Sequence, residues 1–206
     1  NKNKAKLYFL FKALFYVGIG GLSYTFIFYI TNPILFVLNF VFFGFVVVLL
    51  CFNFAHDLSH HSLFNRPFWD NLFFECIYTL VGAHPEAWKK RHLNSHHFAP
   101  NVENFDTDLS ITNLIRVLPT SDLKWYHKYQ HIYASIAYMS YTLYWFTLKD
   151  IIVLNRFAPS NRRKLLRYYL KFLATKSFYI IYLIVLPILF SQQSVWIVII
   201  AFIIMH

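Results

Sequence analysis

Two long apolar segments lie near the start of the chain. Residues 7–30 and 34–55 are almost entirely apolar, and the tripeptide Thr31-Asn32-Pro33 separates them. At about 1.5 Å of rise per residue, either segment can cross about 30 Å of hydrocarbon as a helix. The pattern therefore predicts a transmembrane hairpin with a tight turn.

A second pair of apolar segments closes the sequence. Residues 177–190 and 195–206 are apolar, and the polar residues 191–194 separate them. We expect residues 177–206 to form a second transmembrane hairpin. Its last helix is expected to be incomplete, because the twelve residues 195–206 span only about 18 Å.

The basic residues predict the topology. Four lysines lie within the first twelve residues, and the other fifteen lysines and arginines lie between Arg66 and Lys176, so neither hairpin turn carries a charge. Because basic residues concentrate on the cytoplasmic side, we expect the N-terminus and residues 56–176 to be cytoplasmic. The apolar stretch 132–148 is then an interfacial or buried helix, since a span there would export the basic residues 162–164.

The composition indicates a membrane protein and argues against a nucleic-acid partner. Apolar residues make up 58% of the 206 residues and charged residues 14%, against roughly 25% charged in soluble domains. The net charge of +10 comes from residues flanked by apolar segments, which favours anionic lipid over nucleic acid. Together the patterns predict one all-α integral membrane domain over residues 1–206, with two transmembrane hairpins (four spans, the last incomplete) and a cytoplasmic helical cap.

The motif H-x-x-x-H-H occurs twice, at residues 56–61 and 92–97. At about 100° per residue on an α-helix, the first two histidines of each motif share a face, and the third lies about 140° from the first. Neutral imidazole binds iron, copper, zinc and nickel, and few other uses explain two identical clusters. The two motifs therefore predict a metal centre at a membrane surface.

Acidic residues near the motifs can hydrogen bond to ligand imidazoles. Asp57 lies inside the first motif, and Glu103, Asp106 and Asp108 follow the second. A carboxylate that accepts the second ring N–H of a metal-bound histidine fixes the orientation of the ring. Helix capping and solvation explain each of these residues equally well, so both interpretations stay open.

Four segments carry a family resemblance, and two of them are the histidine motifs. The other two follow the second motif. They are the run N-x-x-x-x-D-x-D from Asn101 to Asp108 and the run W-x-H-x-Y-Q-H-x-Y-A at residues 125–134. These segments resemble the first two histidine boxes and the following sequence of the membrane-bound fatty acid desaturases. The resemblance is to the linoleoyl-CoA-type, front-end acyl desaturases in particular.

This resemblance implies a ligand set for two iron ions. The implied ligands are His56, His60, His92, His96 and His97. His61 departs from the usual first box of this subgroup, and ligation by His61 stays open. The residues implied to support the ligands are Asp57, Asn101, Asp106, Asp108 and His131. For His131, an ordinary polar role near the membrane interface is the alternative.

The resemblance also implies an activity. It implies an O2-dependent oxidoreductase that introduces a double bond into a lipid-linked or CoA-linked acyl chain. The haem-binding sequence H-P-G-G does not occur in the 206 residues, so we expect a separate ferredoxin or cytochrome b5 to donate electrons. A hydroxylase or ketolase of the same superfamily, or a non-catalytic membrane module that binds metal or haem, is the alternative. The family's third histidine box would follow the second hairpin, so residues 1–206 are expected to be part of a longer domain and inactive alone.

Overall fold

The computed structural model describes residues 2–64, 66–103, 105–106, 109, 114–156 and 158–206, and all regular secondary structure in these residues is helical. The α-helices in this part are α1 Lys2–Phe26, α2 Pro33–Leu50, α3 His56–Ser59, α4 Pro67–Leu80, α5 Pro85–Arg91, α6 Gln130–Met139, α7 Tyr141–Tyr144, α8 Asp150–Arg156, α9 Arg162–Ile180, α10 Leu186–Phe190 and α11 Val195–Met205. The π-helical turns are Cys51–Ala55, His92–His96, Trp145–Lys149 and Ile181–Val185, and Trp125–Tyr129 is a 3-10 turn. The all-α prediction is confirmed.

Within the described residues, three helices are long and apolar enough to cross a membrane, and they are Leu7–Phe26, Pro33–Ser59 and Arg162–Phe190. The apolar stretch from residue 177 forms the C-terminal half of a helix that begins at Arg162. The hydropathy pattern predicted only this apolar half. The basic half is also helical, because basic residues form helix as readily as apolar ones do, but it leaves no signal in hydropathy. A shorter apolar helix, Val195–Met205, follows.

The chain divides into two compact units, one of residues 1–85 with 171–206 and the other of residues 86–170. In the first unit, α2 packs against both α1 and α11. Asn32 caps the N-terminus of α2, since its Oδ1 accepts the backbone N–H groups of Ile34 and Leu35 at 2.9 and 3.1 Å. Pro33 follows at the first helical position, where its missing N–H costs no helical hydrogen bond.

Polar side chains link the apolar helices of the first unit. Ser23 Oγ donates to Asn39 Oδ1 at 3.0 Å, and Asn39 Nδ2 donates to the Ser23 carbonyl at 2.9 Å. Gln193 Nε2 donates to the carbonyls of Ile30 and Thr31 at 2.9 and 2.8 Å. Because Gln193 lies between α10 and α11, the turns of both helix pairs lie at the same end of this unit.

Helix α4 is too short to cross a bilayer at about 1.5 Å per residue. One side packs into the unit through Phe74 and Ile77, whereas Phe68 and Phe73 on the other side are exposed. The fully buried carboxylate of Asp70 accepts the backbone N–H groups of the segment that leads into the helix. This arrangement fits a helix that lies along a membrane surface.

Gly44 on α2 allows close approach of α11, because a Cβ there would collide with the Met205 side chain. We expect Gly44→Leu to destabilise the first unit by about 1–3 kcal/mol, the usual cost of overpacking. Thermal unfolding in detergent measures the effect. Gly18→Leu is the matched control, since no atom lies within 4 Å of a Cβ built at Gly18. Equal melting temperatures for the two variants would contradict the packing.

In the second unit, the stretch 132–148 is not one continuous helix. It is divided at Ser140, where helix α6 ends and the backbone leaves α-helical geometry at φ −84° and ψ 2°. Two buried charged residues, Lys149 and Asp150, lie at the end of the π-helical turn that follows. Lys149 donates to the Tyr141 hydroxyl, and Asp150 accepts from Trp145 Nε1 at 2.9 Å. The segment is not among the three helices that are long and apolar enough to span.

Candidate metal centre

The first histidine motif continues the helix of α2 beyond its apolar part. The π-helical turn Cys51–Ala55 leads directly into α3, which carries His56. The rings of His56 and His60 lie 4.9 Å apart, and the nitrogens that each can offer to a metal lie within 4.8 Å of one another. His56 Nδ1 lies 3.3 Å from Asp57 Oδ1, and both side chains are about half exposed.

The helix ends within this motif. His60 is the C-cap residue that directly follows α3, and its N–H donates to the carbonyl of Asp57 at 3.2 Å. His61 follows in the left-handed region at φ 54°, which a non-glycine residue adopts only rarely. The α-helical angles expected for the third histidine therefore do not apply to His61.

The second motif has a different backbone. Residues His92–His96 form a π-helical turn, and the N–H of His97 donates to the carbonyl of His92 at 3.0 Å, five residues back. A π-helical turn holds more than the 3.6 residues of an α-helix, so residues five apart come onto one face. The third histidine, expected about 140° from the first, therefore lies beside it.

His92 and His97 are placed as two ligands of one metal ion would be. Their Nε2 atoms lie 2.9 Å apart, and their ring centroids 4.4 Å apart with the planes nearly perpendicular. Metal–imidazole bonds of about 2.1 Å at right angles separate two ligand nitrogens by about 3 Å. The spacing thus suits a pair of neighbouring ligands on a first-row metal ion.

His96 is held by the loop that follows the motif. Its Nδ1 lies 2.9 Å from Oδ2 of Asp106, a residue that is fully buried. Since a carboxylate only accepts, Nδ1 carries the proton and Nε2 keeps a lone pair that can bind a metal. The same Oδ2 accepts the N–H of Asn101 at 2.9 Å, and Ser95 Oγ donates to the Phe105 carbonyl at 2.7 Å.

Trp88 packs against the second motif and the buried Arg91 directly precedes it, and the sequence interpretation assigned a role to neither. Trp88 stacks on His92 with centroids 4.3 Å apart and an angle of 20°. The buried Arg91 guanidinium lies 5.7 Å from the centre of the Trp145 ring. The position of Trp88, four residues before His92 on a predicted helix, is a signal that could have identified the stacking.

The remaining predicted residues lie elsewhere. His131 is an exposed residue of α6, and Asp108 is outside the described residues. Hydrogen bonds from Thr120 and Ser121, with the nearby charge of Arg116, lower the pKa of Glu103 from its ordinary value. Glu103 therefore interacts with side chains of residues 116–121, whereas Asp106 contacts His96.

The comparisons with known proteins identify a family. The sequence model for fatty acid desaturases matches residues 7–206. The chain is 29% identical over 192 residues to an acyl-lipid (8-3)-desaturase of Physcomitrium patens, which covers 90% of this chain and 40% of the relative. It is 30% identical over 102 residues to an sn-1 linoleoyl-lipid 6-desaturase of Arthrospira platensis, which covers 50% of this chain and 27% of the relative.

A third relative is the acyl-lipid (8-3)-desaturase B of Dictyostelium discoideum, 38% identical over 90 residues, which are 43% of this chain and 19% of the relative. The matched segments thus span less than half of each of these relatives. No solved structure matches the chain. The family match extends over both histidine motifs and the helices that carry them, and the chain belongs to the fatty acid desaturase family.

Proposed function

We propose that this protein is part of an O2-dependent acyl desaturase that binds two iron ions. The proposed ligands are His56, His60, His92, His96 and His97. The observation that carries the proposal is the π-helical turn at residues 92–96, which brings His92 and His97 Nε2 to 2.9 Å. Membership of the desaturase family and the paired rings of His56 and His60 also support it.

The donor set suits iron. All five proposed ligands are imidazoles, which bind iron as neutral groups. When bound, iron would supply the oxidising power that O2-dependent removal of hydrogen from an unactivated acyl chain needs. The protein's part is positioning: Asp106 keeps a proton on Nδ1 of His96, and Trp88 holds the plane of the His92 ring.

The names of the relatives support a lipid-linked substrate. The three relatives above are named as desaturases of acyl lipids or of a linoleoyl lipid. We propose an acyl chain on a membrane lipid or on coenzyme A as the substrate, with a separate ferredoxin or cytochrome b5 as electron donor. Asp57, Asn101, Asp106, Asp108 and His131 remain the proposed supporting residues, and His61 stays outside the proposed ligand set.

Product analysis tests the activity. The whole protein that contains residues 1–206 is expressed in the membranes of a host that supplies an electron donor, and fatty acid methyl esters are analysed by gas chromatography. A new unsaturated fatty acid that requires O2 is the expected product. A hydroxy or keto fatty acid would instead identify a hydroxylase or ketolase, and bound metal or haem without any product would identify a binding module.

We also propose a membrane topology of four spans in two hairpins, with residues 56–176 in the cytoplasm. Single cysteines are introduced into a variant in which Cys51 and Cys76 are alanine. Cysteines at Thr31 and Gln192 are expected to react with an impermeant thiol reagent added to sealed cells, because the turns at both positions lie at the same end of the first unit. A cysteine at Ser160 is the matched internal position. Labelling at Ser160 would contradict the topology.

A further inference from the structure

The second unit has a surface cavity of about 490 Å³, widely open to solvent, beside the 3-10 turn Trp125–Tyr129. Three of its lining residues are basic, namely Arg116, Lys124 and Lys128. None of these residues belongs to the histidine motifs. The proposed desaturase chemistry does not use this cavity.

Hydrogen bonds hold the walls of the cavity in place. The Arg116 N–H donates to Gln130 Oε1 at 2.8 Å, and Gln130 Nε2 donates back to the Arg116 carbonyl at 3.1 Å. Arg116 Nε donates to the carbonyl of Ser121 at 2.8 Å. Lys124 N–H donates to His127 Nδ1 at 3.0 Å, which fixes the start of the 3-10 turn. The cavity is therefore built by the fold of this loop.

The charge of the cavity is positive even when the neighbouring acidic residues are counted. Asp122 Oδ2 lies 3.5 Å from Lys124 Nζ, but the Asp122 side chain is 90% exposed, so solvent weakens the pair. Glu103 interacts with Arg116, and its carboxylate already accepts hydrogen bonds from two loop hydroxyls. Two acidic groups thus face three basic ones, and the cavity suits an anion.

Apolar side chains surround these charges. Leu123 and Trp125 line the cavity and are 72% and 77% exposed, and nearby Val117 is 55% exposed. A soluble phosphate compound would explain the basic residues alone. An anionic phospholipid explains both features, because tryptophan and leucine favour the interfacial layer of a bilayer and lysines bind its anionic headgroups.

We propose that this cavity binds the phosphate headgroup of an anionic phospholipid. Lys124 and Lys128 bind the phosphate, and Leu123 and Trp125 enter the interfacial layer beside it. Residues 116–130 are thereby attached to the membrane surface. This inference is independent of the proposed desaturase activity, since it concerns residues outside the metal centre.

Native mass spectrometry of the protein released from phosphatidylcholine nanodiscs that contain some phosphatidylglycerol tests the proposal. One lysine near an anionic surface strengthens binding about fivefold, so Lys124→Gln with Lys128→Gln should weaken phosphatidylglycerol retention roughly 25-fold. Arg162→Gln with Arg163→Gln removes the same charge from the exposed start of α9 and should retain the lipid. Equal losses in the two double variants would show general charge attraction and overturn the site.

Two further measurements identify the ligand. Inorganic phosphate and coenzyme A are added as soluble competitors, and neither should displace phosphatidylglycerol; displacement by either would overturn the lipid assignment. Brominated phosphatidylglycerol should quench tryptophan fluorescence less in Trp125→Phe than in the wild type, because the exposed Trp125 ring is expected to lie beside the lipid. Unchanged quenching in Trp125→Phe would place the headgroup elsewhere and contradict the proposal.

Discussion

In the whole protein, His97→Ala is expected to lower bound iron strongly and to abolish product formation, whereas His61→Ala is expected to retain both. The two histidines occupy the same position in identical motifs, so composition and spacing do not distinguish them. The backbone does, because the π-helical turn brings His97 Nε2 to 2.9 Å from His92 Nε2, whereas His61 follows the end of a helix at φ 54°.

The expected effect at position 97 is large. Loss of an outer hydrogen-bonding partner usually lowers metal affinity or activity about 10–100-fold, and loss of a ligand itself should exceed that range. Iron content by mass spectrometry and methyl-ester analysis measure the two effects separately. His60→Ala and His96→Ala serve as positive controls, with the same expected loss. If His61→Ala lost as much iron as His97→Ala, the assignment of the first motif would be wrong.

Replacing Asp106 is the second change with a large expected effect. Asp106→Ala should lower iron affinity about 10–100-fold, because His96 would lose the carboxylate that fixes its tautomer and ring orientation. The N–H of Asn101 would also lose its acceptor, which adds a cost in stability of about 0.5–1.5 kcal/mol, the usual net contribution of one hydrogen bond. Iron titration of membranes and thermal unfolding in detergent measure these two effects.

Asp57→Ala is the matched control for this prediction. Asp57 also lies near a histidine, but its oxygen is 3.3 Å from His56 Nδ1 and the two side chains are 54% and 50% exposed. Solvent competes for an exposed contact of this kind, so we expect a small change in iron affinity. A larger loss for Asp57→Ala than for Asp106→Ala would contradict the role assigned to the buried carboxylate.

The hydropathy pattern was enough to predict the apolar helices. The two apolar segments around Asn32 and the two around residues 191–194 are all helical. These predictions succeeded because a helix in lipid must be apolar over its whole length, which leaves a clear signal in sequence. The helix start at Arg162 and the interruption at Ser140 gave no such signal, since charged residues form helix readily and a single break leaves hydropathy unchanged.

The histidine motifs were recognised from residue type and spacing, and the family match agrees with that recognition. The angular prediction failed at both third histidines because it assumed a continuous α-helix. One motif adopts a π-helical turn and the other ends its helix. Both outcomes depend on backbone hydrogen bonds that the residue spacing does not determine.

The sequence by itself therefore determined the class of the molecule, its apolar helices and the imidazoles available to a metal. Only the tertiary structure decided which atoms meet. The contact between His96 and Asp106 joins residues ten positions apart through a loop, and the placement of His97 beside His92 needs a register that only the folded backbone provides. The physical reason is that hydropathy and ligand chemistry are properties of single residues, whereas orientation and burial come from the packed chain.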